Sequence, residues 1–154
     1  MEEGLRTGDR STAWTFAKEL LILEHLIQKE PEAEVEIQAL QVGPAVFLAN
    51  PAEYFCESGL AIKRASPFPL TYVVTFANGC VGYVPPEAAF APNGGGYETV
   101  LTSYSNLALS AAQQIADASL ELAGRFTPGA LPQPRQVEGP QAPWSYGVLG
   151  PDRE

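Results

Sequence analysis

The stretch LTYVVTFAN, residues 70 to 78, is apolar on both of its alternating faces. β-Branched and aromatic side chains fit a pleated, buried surface. A strand apolar on both faces belongs in the middle of a sheet that is covered on both sides. Such a strand needs neighbours, and the rest of the chain offers few. AEVEIQALQVG alternates Val35, Ile37 and Ala39 with polar residues, then adds Leu40 and Val42, a period of two that predicts a strand. Gly43 and Pro44 turn the chain into AVFLAN, residues 45 to 50, and the pair reads as a hairpin. That makes about three strands, too few to enclose a central one.

Three helical patterns surround them. Residues 12 to 29 repeat apolar side chains at Ala13, Phe16, Leu20, Leu23 and Ile27, with Ser11 or Thr12 as cap and Pro31 as terminator. Leu21, Ile22 and Leu26 widen the stripe, which predicts a helix covered on two sides. AEYFCESGLAIKRAS, from residue 52, reads as a second helix with Pro51 near its first turn. The third, residues 105 to 124, carries Ala111, Ala112, Ile115 and Leu122 on one face. Ser105 or Asn106 would cap it, and Gly124 would close it in the left-handed conformation.

The order α-β-β-α-β-loop-α predicts an α/β fold, with helices layered on a small mixed sheet that is incomplete. Residues 1 to 126 form this partial domain. Residues 127 to 154 hold six prolines and four glycines without periodicity and read as an extended or disordered tail. Trp144 and Tyr146 mark that tail as a strap that could dock.

Charge excludes one class of partner. The net charge is −9, and the nine basic residues stand singly or as Lys63 beside Arg64, so the basic patch that nucleic acid requires is missing. No apolar run approaches the ~20 residues of a membrane-spanning helix. The opening MEEGLRTGDRS is acidic and polar, unlike a secretory signal at this end if Met1 is the start. The compartment is left open. Cys56 and Cys80, without a CxxC pair, read as buried free thiols.

Most familiar catalytic arrangements are excluded as well. The one histidine, His25, lies inside the first helix, so a Ser-His-Asp triad has no base. No GxSxG elbow occurs, and Gly94, Gly95 and Gly96 lack the strand and helix that would make them a phosphate loop. Two oxygen-bearing residues stand out. Glu53 follows a strand end in LANPAEYF, where it also fits as an acid in a helix's first turn. Tyr83 follows another strand end in NGCVGY. Open α/β sheets gather their sites at that edge. The long loop after Tyr83 returns at Tyr97 and Glu98, either to the same place or simply to plug a surface cleft.

The run NPAEYFCESGLAIKR, TYVVTFANGCVGYVPPEAAF and GGYETV resembles the later part of the catalytic domain of the neutral ceramidase family, over residues 12 to 126. Pro51-Ala52-Glu53-Tyr54 matches the family's P-x-E-F/Y element. Asn78 to Tyr83 matches its N-x-x-x-x-Y, and Tyr97-Glu98 its Y-E. The resemblance implies a zinc-dependent amide hydrolase acting on a lipid amide such as ceramide, with Glu53 and Tyr83 as zinc ligands and Tyr97 steadying the developing oxyanion. A carboxylate is an ordinary zinc ligand, and a divalent cation favours the anionic form of a phenol that it binds.

The family's two histidine ligands lie upstream of this segment, and the glycine it usually has before the glutamate is Ala52 here. The stretch VPPEAAFAPNGGG is closer to the family's bacterial members of unassigned substrate. The chain therefore reads as a hydrolase fragment that binds zinc weakly and is inactive alone, the missing histidines coming from an upstream polypeptide or a partner chain. The alternative is a non-catalytic binding or assembly module that completes its sheet with another chain.

Overall fold

Ser11 opens the first helix as the sequence predicts. In a computed structural model, which describes residues 11 to 134, its hydroxyl accepts a hydrogen bond from the Trp14 backbone at 3.2 Å, and α1 runs Thr12–Lys29. The expected cover on two sides is not there. Only Leu23 is buried, while Leu20, Leu21, Ile22, Leu26 and Ile27 are exposed. Between α1 and the last helix lies a groove of about 710 Å³, lined by Leu23, Ile27, Ile37, Leu107 and Ile115 among others.

The remaining elements are β1 (Gln38–Val42), β2 (Ala45–Ala49), β3 (Glu53–Tyr54), α2 (Cys56–Ala65), β4 (Leu70–Val74), β5 (Tyr83–Val84) and α3 (Ala111–Gly124). One-turn 3-10 helices at Glu87–Phe90 and Tyr97–Thr99 punctuate the long loop. β1 and β2 form the predicted antiparallel hairpin, Val42 opposite Ala45 across the turn. Gly43 sits at φ +57°, a conformation open to glycine at little cost. β4 joins β2 in parallel, giving a mixed three-stranded sheet in the order β1-β2-β4. The fold is α/β, helices on a small sheet.

The sequence places β4 in the middle, and the structure puts it at an edge. Its inward residues, Thr71 and Val73, face the helices with Val46 and Leu48. Its outward residues, Leu70, Tyr72 and Val74, are exposed. Leu40, Val42 and Phe47 join them on that outer face, where Phe47 stacks on Tyr72 with centroids 5.0 Å apart. No strand among the described residues lies beyond β4. On the inner face, α2 packs on α3 and β4, and α3 on β1 and β2. The core there is Val46, Leu48, Ile62, Phe68, Ala116 and Ala123. Burying a side chain such as Leu48 or Ile62 contributes about 1.5–3 kcal/mol.

Several boundaries differ from the sequence reading, two of them because a polar group is engaged elsewhere. α2 begins at Cys56, since Glu53 pairs as a strand instead of opening the helix: its N–H donates to the Gly82 carbonyl at 2.9 Å. β1 begins at Gln38, leaving Val35 and Ile37 in extended chain. α3 begins at Ala111, because Ser105 and Asn106 belong to a turn in which Thr102 Oγ1 accepts from the Ser105 N–H at 2.8 Å and Asn106 Nδ2 donates to the Ser103 carbonyl at 3.1 Å. Gly124 is the last helical residue, and Arg125 follows it in right-handed geometry. Cys56 and Cys80 are free thiols, but exposed rather than buried.

The start of the Pro/Gly-rich tail lies against the β1–β2 turn, where Gln41 Nε2 donates to the Thr127 carbonyl at 2.7 Å and the Gly129 N–H to the Gly43 carbonyl at 3.1 Å. Trp144 and Tyr146, the predicted docking residues, lie outside the described residues. No described helix is long and apolar enough to cross a membrane.

Candidate functional site

Asn50 ends β2 and begins the local construction. It is 1 % exposed, and its Oδ1 accepts from the Ala52 N–H at 3.1 Å, an Asx turn of the kind asparagine favours. Its backbone is held between two others, donating to the Val74 carbonyl and accepting from the Ala77 N–H. The Pro51 carbonyl then accepts from Val81, and Glu53 donates to Gly82. Segment 50–53 is thus laid beside residues 74–83, past the C-terminal ends of β2 and β4.

The outcome is a two-residue parallel ladder, Glu53 opposite Tyr83 and Tyr54 opposite Val84. Successive strand residues face opposite ways, so the ladder sorts its side chains. Tyr54 and Val84 point into a second core with Ala52, Ala112 and Ile115. The Tyr54 hydroxyl donates to the Ala112 carbonyl at 2.6 Å, and burial pushes its pKa up. Glu53 and Tyr83 share the other side. Ala52, where the resembled family usually has glycine, is fully buried in this core.

The loop returns Tyr97 to the same place. The Tyr97 and Tyr83 hydroxyls are 3.5 Å apart, at the outer limit of a hydrogen bond, and their rings meet edge to face with centroids 5.5 Å apart. All three candidate residues, Glu53, Tyr83 and Tyr97, are therefore neighbours.

A fourth group was not singled out in the sequence. The Tyr104 hydroxyl donates to Oε1 of Glu53, and its ring lies edge-on to Tyr83 at 6.3 Å. The turn that carries it is fixed from beneath. The Tyr83 N–H donates to Ser105 Oγ at 2.9 Å, and Gly82, at φ +69°, lets the Tyr104 carbonyl come so close that any Cβ would collide with it. The only sequence signal for this was the cluster Thr102, Ser103, Ser105 and Asn106 around one tyrosine, which also fits a helix cap.

Electrostatics follow from one carboxylate among phenols. The Tyr83 pKa is held well above the ordinary phenol value, first by the Tyr97 hydroxyl and then by Glu53. That of Tyr104 is pushed up to about 12 by its hydrogen bond to Glu53. Both phenols are neutral donors at pH 7, and a divalent cation would act on them in the opposite sense. The site is open to solvent: Tyr97 is 66 % exposed and Tyr104 48 %.

A catalytic zinc takes three or more protein ligands. Glu53 and the phenols provide one carboxylate and neutral oxygens, and no group of three His, Cys, Asp or Glu side chains suited to a metal occurs among the described residues. His25 is exposed on α1. This donor set alone does not fit a zinc centre. No protein-family model, curated protein or solved structure matched the chain.

Proposed function

We propose that this chain supplies the carboxylate–phenol half of a hydrolytic site, of the kind found in zinc-dependent amide hydrolases resembling neutral ceramidase. Its remaining metal ligands come from another stretch of polypeptide. The observation that carries this reading is the register of the short ladder, which sets Glu53 and Tyr83 side by side with the Tyr97 hydroxyl 3.5 Å from that of Tyr83. In this reading Glu53 and Tyr83 are ligands in waiting. Tyr97, the most exposed of the three phenols, is a donor placed for a carbonyl oxygen that gains charge. The substrate class is an N-acyl lipid amide.

Calorimetric titration of the purified chain with Zn²⁺ tests the first part. We expect weak binding that Glu53→Gln removes and Tyr83→Phe reduces, with no hydrolysis of an N-acyl amide by the chain alone. Zinc affinity unchanged in Glu53→Gln would refute the reading.

A second reading, a non-catalytic assembly module, is favoured by the outer face of the sheet. Leu40, Val42, Tyr72 and Val74 are exposed there without a single charge among them. Contiguous apolar surface of this kind marks a place where another body packs. Completing the sheet with another chain is compatible with the half-site, since the missing ligands need a carrier.

A further inference from the structure

We propose that a segment of the chain's own tail, Gly139 to Pro151, lies across the open outer face of the β1-β2-β4 sheet as a reversible strap. This strap is separate from the half-site at Glu53, and the other body of the assembly reading would compete with it for the same residues.

The strand register sets Leu40, Phe47 and Tyr72 abreast on that face. Beside them stand Val42, Ala45 and Leu70, the row next to the Gly43–Pro44 turn. None of the six is charged. Phe47 and Tyr72 stack and stand tall, while Ala45, with a single methyl, leaves a shallow trough between Val42 and Leu70. An apolar hollow walled by aromatic rings suits flat or aliphatic side chains.

The chain arrives at this row by itself. The Gly129 N–H donates to the Gly43 carbonyl at 3.1 Å, and a Cβ on Gly129 would meet the Gly43 carbonyl carbon at 2.8 Å, so the two backbones touch. The described chain ends five residues later, at exposed Pro134. Beyond it the sequence holds no charge from Gly139 to Pro151 and gathers Trp144, Tyr146, Val148 and Leu149 within six residues. A tail that belongs in water is rich in charge and poor in aromatics. This stretch is the reverse. Ten residues from Pro134 to Trp144 span up to about 31 Å at the polyproline rise, and five-residue strands are about 17 Å long, so the cluster reaches every row of the face. Pro140 and Pro143 favour the extended form in advance, which lowers the cost of ordering it. They also lack the N–H that an added strand needs, so the strap meets the face through side chains.

The tether decides the occupant. A linker of this length holds its end near the face at about millimolar effective concentration, far above a second copy in dilute solution. The net charge of −9 on each copy opposes the second copy further. Ordering the strap offsets much of what its four side chains gain. It therefore opens at far lower cost than the sheet, and losing one contact such as Leu40 changes global unfolding little.

NMR of the full chain, with leucine and valine methyls labelled, tests the strap. We expect nuclear Overhauser contacts from the Trp144 indole to the methyls of Val42 and Leu70, unchanged on dilution. Trp144→Ala combined with Tyr146→Ala should shift those methyls and leave the inner-face methyls of Val46 and Leu48 in place. Tyr72→Lys should erase the contacts and return the indole resonance to that of a synthetic peptide of residues 139–151 free in solution. Outer-face methyls identical in the full chain and the double variant would overturn the strap. Contacts seen only between differently labelled molecules in a mixed sample would assign the face to a second copy, and indole contacts to Leu23 or Ile27 would assign the tail to the groove beside α1. Either result overturns the proposal.

Discussion

Val46, Leu48 and Val73 point to one face of the β1-β2-β4 sheet, and Leu40, Val42, Tyr72 and Val74 to the other. The two sets are chemically alike. The first is sealed under α2 and α3, and the second faces water. Composition does not account for the difference, because nothing in the outer set favours solvent. α2 and α3 cover one face, and no described element covers the other. α1 repeats the pattern on a smaller scale, with Leu23 covered and five large apolar neighbours exposed. The separate two-stranded ladder of β3 and β5 stands past the C-terminal ends of β2 and β4.

The sharpest way to break this comparison is to truncate both faces. Ile62→Ala or Leu48→Ala, each fully buried, should cost about 2–5 kcal/mol in urea unfolding. Leu40→Ala and Val42→Ala, 64 % and 58 % exposed, should stay within about 0.5 kcal/mol. Equal costs would mean that the outer face is covered after all. Next in size is Gly82→Ala. It forces a side chain into left-handed backbone and against Tyr104 and Ser105, at about 2 kcal/mol. The loss should show in thermal melts and in Tyr104 ring contacts by NMR.

Tyr72→Lys then sharpens the contrast between the faces. It should leave the melting temperature almost unchanged while suppressing concentration-dependent association in sedimentation velocity. Association unaffected by the lysine would separate the open face from any contact surface.

The smallest effect concerns α1. Glu19 accepts from the backbone and hydroxyl of Ser103, and these bonds, the hydroxyl first, hold its carboxyl below the usual carboxylate value. A depressed folded-state pKa contributes stability that is present at neutral pH and is lost as pH falls through that depressed value. The protection factors of the α1 amides, exchange corrected for its intrinsic pH dependence, should therefore fall in acid. Ser103→Ala should lower that protection at neutral pH and weaken its acid dependence, the Ser103 N–H and Lys18 still holding Glu19.

Much of the fold was legible because the signals were local. The Ser11 cap, the Gly43–Pro44 hairpin and the alternation of helix with strand all follow from short-range chemistry. What failed was whatever depends on a distant partner. Residues 70 to 74 have the pattern of a central strand, and an edge strand with one open apolar face has the same pattern. Two-residue strands carry no period, so the ladder that unites Glu53 with Tyr83 could not be read as pairing. Both residues were found through the resemblance and their places beyond strand ends. Tyr104 escaped because its value lies in a contact 51 residues away, while its flanking hydroxyls look like the start of a helix.

The grip of Glu19 on Ser103 has one more consequence. Ser103 is the residue immediately before Tyr104, so the helix with the least seal of its own is tied to the turn whose tyrosine donates to Glu53. Two consecutive residues thus join α1 to the short ladder, Ser103 by its bonds to Glu19 and Tyr104 by its bond to Glu53.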